Sequence, residues 1–182
     1  ELASPTPSVL EKWDYYSQGY FHNSLRDVTP LIQAEWNQDY PWNRECPEDS
    51  DGPGGHVLVG CVAVAAAQLM HYWQFPEYGN GSRTYLHDEY GELGVEFEYM
   101  NYNYNLMPNT YSSVESETLL FHTGVAYAMN YGPDGSGAYV PNTPYVLSNF
   151  FSYNNDIEII TPNQYDSQSE YEDQLILELD NQ

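Results

Sequence analysis

The sequence predicts an α+β fold: a buried central helix that carries a cysteine at its first position, with an antiparallel sheet beside it. Three observations lead there. Residues 60–73 form an apolar run opened by Gly60-Cys61 and followed by Pro76, the pattern of a buried helix. Residues 84–99 alternate in polarity beyond a turn through Asp88 to Gly91, the pattern of a hairpin. Residues 114–131 read as a second helix, with serine before it and Gly132-Pro133 after it, as capping and termination require.

Residues 1–27 are rich in Ser and Pro and then in Tyr, and read as a linker or pro-segment remnant; the domain is expected to occupy 28–182. Residues 37–56 read as loop, punctuated by Pro41, Pro47, Pro53 and three glycines. From Cys61 to about Gln74 only Gln68, His71 and Gln74 are polar, which predicts burial on all sides. The hairpin follows, with Gly94 to Tyr99 as its second strand. The second helix is expected from about Val114 to Tyr131, capped by Ser112 with Glu115. A short third helix follows Asn142, with Pro144 in its first turn. Asp156 to Ile160 reads as a strand. A last helix, capped by Ser167 with Glu170, is expected to bury Tyr171, Leu175 and Leu179 at i, i+4 and i+8.

Composition excludes several functions. The chain of 182 residues holds 27 acids against 4 bases, a formal charge of −23. Nucleic acid and anionic membrane surfaces need clustered Lys and Arg, so neither is an expected partner. No apolar run reaches the roughly 18–20 residues that span a bilayer. The charge suits an extracellular or saline setting, where salt screens self-repulsion. A secreted protein is the expectation, with any signal peptide lying upstream or already removed.

The chain has two cysteines, Cys46 and Cys61. They could pair as a disulfide in a non-catalytic, acidic extracellular domain that binds protein or glycan. The context of Cys61 favours another reading. A thiol at a helix N-terminus is easier to ionise, because unsatisfied N–H groups and the helix dipole stabilise the thiolate. That is how a cysteine nucleophile is commonly made, with Cys46 incidental in a Pro-rich loop.

Three stretches together resemble the streptopain family of papain-like cysteine endopeptidases. They are Trp36-Asn37-Gln38-Asp39-Tyr40-Pro41-Trp42-Asn43 with Cys46-Pro47; Gly60-Cys61-Val62 through Gln68-Leu69-Met70-His71-Tyr72 with Pro76 and Gly79; and Gly124 through Met129 with Tyr131-Gly132-Pro133 and Ser136-Gly137-Ala138. The resemblance implies an incomplete papain-like fold, with 28–182 as the N-terminal part of a catalytic domain. It implies that Cys61 is the nucleophile and that Gln38, 23 residues earlier, donates to the oxyanion hole. It places Ser136, Gly137 and Ala138 at the substrate cleft. The substrate would be a protein or peptide, with an apolar residue preferred one place before the scissile residue. No cofactor and no metal are implied.

The family's catalytic histidine lies in a Gly-Gly-His-Ala type strand beyond the last helix, and the matching positions are absent. The expectation is therefore a fragment that is inactive alone, or one chain of a two-chain enzyme whose partner supplies the histidine. Gly54-Gly55-His56 copies the missing motif, but it sits five residues before Cys61 in a loop. His71 lies ten residues along the helix from Cys61, about 15 Å away at 1.5 Å per residue. His122 reads as a packing or surface residue, and His22 and His87 as linker and turn. Glu48-Asp49-Ser50-Asp51-Gly52 lacks the ligand pattern of a calcium loop and reads as solvated. Asp134-Gly135-Ser136-Gly137 has no lysine for a phosphate loop and reads as a turn. The tyrosines of 99–104 read as loop packing rather than a sugar platform. A chain without its second half is expected to leave part of its core uncovered and to be marginally stable or self-associating.

Overall fold

In the computed structural model, residues 30–180 are described, and those from Ile32 onward belong to one compact unit. The expected linker of 1–27 lies outside the described residues.

Helix α1, Cys61–Trp73, begins after Gly60 and ends at Gln74, which adopts a left-handed conformation and gives its N–H to the carbonyls of His71 and Met70. Ala63, Ala66, Ala67 and Met70 are buried, at the i, i+3, i+4, i+7 spacing of one helix face. Cys61 and Ala65 are exposed, and Trp73 is half exposed. The expectation of burial on all sides is thus corrected. The alanines bring one face close against the next helix, while the other face lines an open cleft.

The more deeply buried helix is α2, Val114–Ala126, which packs on α1 and buries nine of its thirteen residues. Its cap is one residue later than expected. Ser113 accepts the N–H of Ser116, and the Ser116 hydroxyl accepts the N–H of Ser113. Serine suits this place because position 116 is completely buried. The buried Glu117 beside it pairs with Arg44 at 3.1 Å. The helix also stops earlier than expected, at Ala126 rather than Tyr131. Ala128 turns left-handed, and the Arg83 guanidinium donates to the Ala126 carbonyl at 2.7 Å.

Strands β1, Arg83–His87, and β2, Gly91–Val95, pair antiparallel from Arg83 opposite Val95 to His87 opposite Gly91. The second strand ends at Val95 instead of Tyr99, because 97–99 coils into a 3-10 turn. That turn drives Phe97 into the core against Phe150 and Phe151, with ring centroids 4.9 and 5.5 Å away. Helix α3, Thr143–Phe151, follows Asn142 with Pro144 in its first turn, as expected. Residues 156–160 form no strand. Helix α4, Gln168–Asp180, starts with the Glu170 N–H bonded to the Ser167 hydroxyl. It does not bury the expected face: Tyr171 is half-buried, and Leu175 and Leu179 are 37% and 51% exposed.

His122 sits inside α2, buried against Tyr102 and Phe97. Burial pushes its pKa down to about 4. An unfolded imidazole titrates near 6.5, so the folded state binds the proton more weakly than the unfolded chain. The stabilisation is complete above about pH 6.5 and is lost as pH falls toward 4, by about 3 kcal/mol in all. Urea unfolding of wild type and His122→Gln at pH 7 and pH 4.5 tests this. The stability gap between the two proteins is expected to narrow sharply at the lower pH.

Candidate active site

Cys61 occupies the first position of α1, so its own N–H and those of Val62 and Ala63 have no intrahelical acceptor. Gly60 sets the entry. Its φ is +92°, and a Cβ there would lie 2.8 Å from both Sδ and Cε of Met129. Just before it, the Leu58 N–H donates to the Gly132 carbonyl, and the Ser136 hydroxyl donates to the Leu58 carbonyl at 2.6 Å. The Gly132 N–H donates back to the Ser136 hydroxyl at 3.1 Å. Loop 132–137 therefore clamps the peptide that leads into the thiol.

Gln38 arrives on a separate segment. Its carbonyl accepts the Val59 N–H at 2.9 Å, two residues ahead of Cys61. Upstream, the Glu35 N–H donates to Asn109, the Trp36 indole donates to the Pro108 carbonyl, and the Trp36 ring meets His71 edge-on at 4.8 Å. Gln38, Asn37, Trp36 and Gln68 share with Cys61 a hollow of about 240 Å³. On the other side of Cys61 lies an apolar groove of about 460 Å³, floored by Val62, Ala65 and Leu69 and walled by Tyr127, Val140 and Leu147. An exposed thiol thus sits between an amide-lined hollow and an oily groove, the arrangement needed to hold a peptide across a nucleophile.

The sequence profile of the peptidase C10 family matches residues 36–182. The chain belongs to this family. Streptopain of Streptococcus pyogenes is 28% identical over 195 aligned positions, which cover 98% of this chain and 46% of streptopain. The thiol protease/hemagglutinin PrtT of Porphyromonas gingivalis is 28% identical over 137 positions, 69% of this chain and 15% of that protein. Prointerpain A of Prevotella intermedia superposes with a TM-score of 0.74 and 32% identity, over 84% of this chain and 51% of that one. The active interpain A cysteine protease gives 0.69 and 30%, over 80% and 63%. The chain spans about half the length of the streptopain it matches. Its helices and small antiparallel sheet are those of a papain-like α+β fold as far as the described residues extend.

Within this C10 protein, Cys61 and Gln38 come together, and the loop of Ser136, Gly137 and Ala138 does something other than line the two hollows. The Ser136 hydroxyl is held by Leu58 and Gly132. The N–H and the carbonyl of Gly137 are both bonded to Asn130. Ala138 packs against the core. The groove residues Val140 and Leu147 carry no local sequence signal, since an apolar residue that faces a cleft looks like one that faces a core.

The described histidines are engaged elsewhere. His56 Nδ1 bonds the Cys46 carbonyl at 2.8 Å, and His71 Nε2 bonds the Met107 carbonyl at 2.8 Å. His87 Nδ1 accepts the turn N–H groups of Glu89 and Tyr90. His122 is buried and lies near the Tyr102 hydroxyl. None of them lines the hollow or the groove beside Cys61. His22 lies outside the described residues. The expected solvated acidic loop is partly tied down, since Asp49 accepts the Tyr90 hydroxyl at 2.6 Å and the Asp51 N–H at 2.9 Å.

Both cysteines are free, so the alternative Cys46–Cys61 disulfide is not formed. Cys46 is buried, and burial pushes its thiol pKa up to about 12. Iodoacetamide at neutral pH is therefore expected to label Cys61 alone in the native protein and both thiols in guanidinium. Peptide mapping by mass spectrometry reads the site. Labelling of Cys46 in the folded protein would contradict the burial.

Proposed function

We propose that this chain is the thiol-bearing part of a secreted cysteine endopeptidase. Cys61 attacks the scissile carbonyl and forms an acyl-enzyme. The Gln38 side-chain amide and the Cys61 N–H stabilise the oxyanion, since fixed donors aimed at developing charge are usually the largest catalytic term. The groove of Val140, Leu147 and Tyr127 takes an apolar side chain one place before the scissile residue, and the 132–138 loop acts by holding the peptide before Cys61. The observation that carries the reading is the shared hollow of Cys61 and Gln38.

The imidazole that shuttles the proton comes from residues beyond those described, in the same protein or in a second polypeptide. The engagement of His56, His71, His87 and His122 elsewhere supports this. So do the exposed side chains of Leu175, Ile176 and Leu179 on α4, which share one side of the helix and suit further protein. Secretion is supported by the charge of −23. Among the described residues no helix is long and apolar enough to cross a membrane. The two described arginines are both committed internally, to Glu117 and to the Ala126 carbonyl, which disfavours nucleic acid as a partner.

An activated ester separates the thiol chemistry from the imidazole's, because its leaving group needs no proton. N-acetyl-Phe-Gly p-nitrophenyl ester is expected to acylate Cys61 once and to leave a long-lived adduct visible by mass. Gln38→Ala should slow the acylation by about 10²–10³, and Cys61→Ala should abolish it. A native thiol that alkylates but never acylates would overturn the protease reading. Cleavage of an ordinary peptide by this chain alone would overturn the external imidazole.

A further inference from the structure

We propose that Gln68 is a positioning residue for the oxyanion site: from the helix that carries Cys61, it holds in place the segment that carries Gln38. The inference rests on the roles given above to those two residues.

Gln68 follows Cys61 by seven positions on α1, about two turns, and so lies on the same side of the helix. It lines the same hollow as Cys61 and Gln38. Its Nε2 donates to the Ala34 carbonyl at 2.8 Å and reaches the Trp36 carbonyl at 3.4 Å. Both acceptors belong to the extended segment that runs directly into Asn37-Gln38. At the other end of that segment the Gln38 carbonyl is bonded to the Val59 N–H. The oxyanion segment is therefore tied twice to the peptide that bears the nucleophile, two residues before Cys61 and seven residues after it.

Away from α1, the segment rests on Pro108 and Asn109 through the Trp36 indole and the Glu35 N–H. On the α1 side, Gln68 is the polar side chain that meets its carbonyls, among Val64 and Ala65. Ala34 and Trp36 are buried, so their carbonyls have little access to water as a substitute. The chemistry asks for an amide. Glutamine presents N–H groups to carbonyl oxygens, whereas a carboxylate of the same shape would set lone pairs against lone pairs. Without the tie the segment is free to drift from α1, and a shift of about 1 Å in a catalytic donor can cost about 10²-fold.

Two reagents separate positioning from mere folding. N-acetyl-Phe-glycinal adds reversibly to Cys61. Sulfur bonds to the aldehyde carbon, the carbonyl π pair moves to oxygen, and the thiol proton ends on that oxygen, which sits where an oxyanion would. Iodoacetamide alkylates the same sulfur by displacing iodide and develops no such oxygen. Aldehyde affinity, read as protection from slow alkylation, is expected to fall about tenfold to a hundredfold in Gln68→Ala and in the isosteric Gln68→Glu, and comparably in Gln38→Ala. The alkylation rate without aldehyde should stay at the wild-type value in Gln68→Ala, which sets no new charge beside the thiol. If Gln38→Ala weakens the aldehyde but the Gln68 variants match wild type, the positioning role is overturned and the protease reading stands. If Gln68→Ala changes alkylation and aldehyde binding alike, Gln68 serves folding and the role is overturned as well. If Gln38→Ala binds the aldehyde like wild type, the oxyanion assignment itself fails, and this inference fails with it.

Discussion

At Gly60 the backbone adopts a φ of +92° and passes so close to Met129 that no side chain fits between them. Both features demand glycine: the left-handed region favours it, and the sulfur leaves no space for a Cβ. From this joint the chain turns straight into α1 with the thiol on its first residue. The helix N–H groups and the thiol then face the cleft together, while Met129, fully buried, anchors the joint from below. Loop 132–137 closes over the same joint through Ser136 and Gly132. The cleft is thus a consequence of α2 and the turn after it, which carry Met129, as much as of the helix that bears the cysteine.

Charge shapes the molecule in a different way. Arg44 bridges the buried Glu117 and the Tyr40 hydroxyl, and Arg83 ends α2 at Ala126 with its guanidinium over the Phe150 ring. The described cations are therefore structural fasteners, each joining a loop or strand to α2. The acids remain largely at the surface, where repulsion keeps the protein dispersed and where salt weakens that repulsion. Such a surface draws cationic molecules more readily than anionic ones.

The elements with strong local signals were legible in the sequence. Helix α1 began at Cys61 because the apolar run and Gly60 announce it, and α3 began after Asn142 because Pro144 fixes the first turn. The hairpin followed from its alternation and from Gly91. What sequence could not resolve was decided by packing. Ser116 displaced Glu115 as the capping partner because position 116 is completely buried. Phe97 left the strand pattern because the core offered it Phe150 and Phe151. Burial was expected all round α1 and along one face of α4, yet one face of α1 lines a cleft and the apolar residues of α4 are exposed, and no local period distinguishes those from a core. At the site, the motifs singled out Cys61 and Gln38, and the two line one hollow. Gln68 was visible as one of the few polar residues of α1 but gave no hint of what it binds, and Val140 and Leu147 gave no signal at all.

The central claim is that the thiol, the Gln38 amide and the apolar groove act on one substrate. The most direct measurement is a crystal structure of the N-acetyl-Phe-glycinal adduct of Cys61. The account predicts the hemithioacetal oxygen within hydrogen-bond distance of both Gln38 Nε2 and the Cys61 N–H, with the phenylalanine ring in the groove beside Val140 and Leu147. An oxygen turned to solvent, with the ring outside the groove, would contradict it.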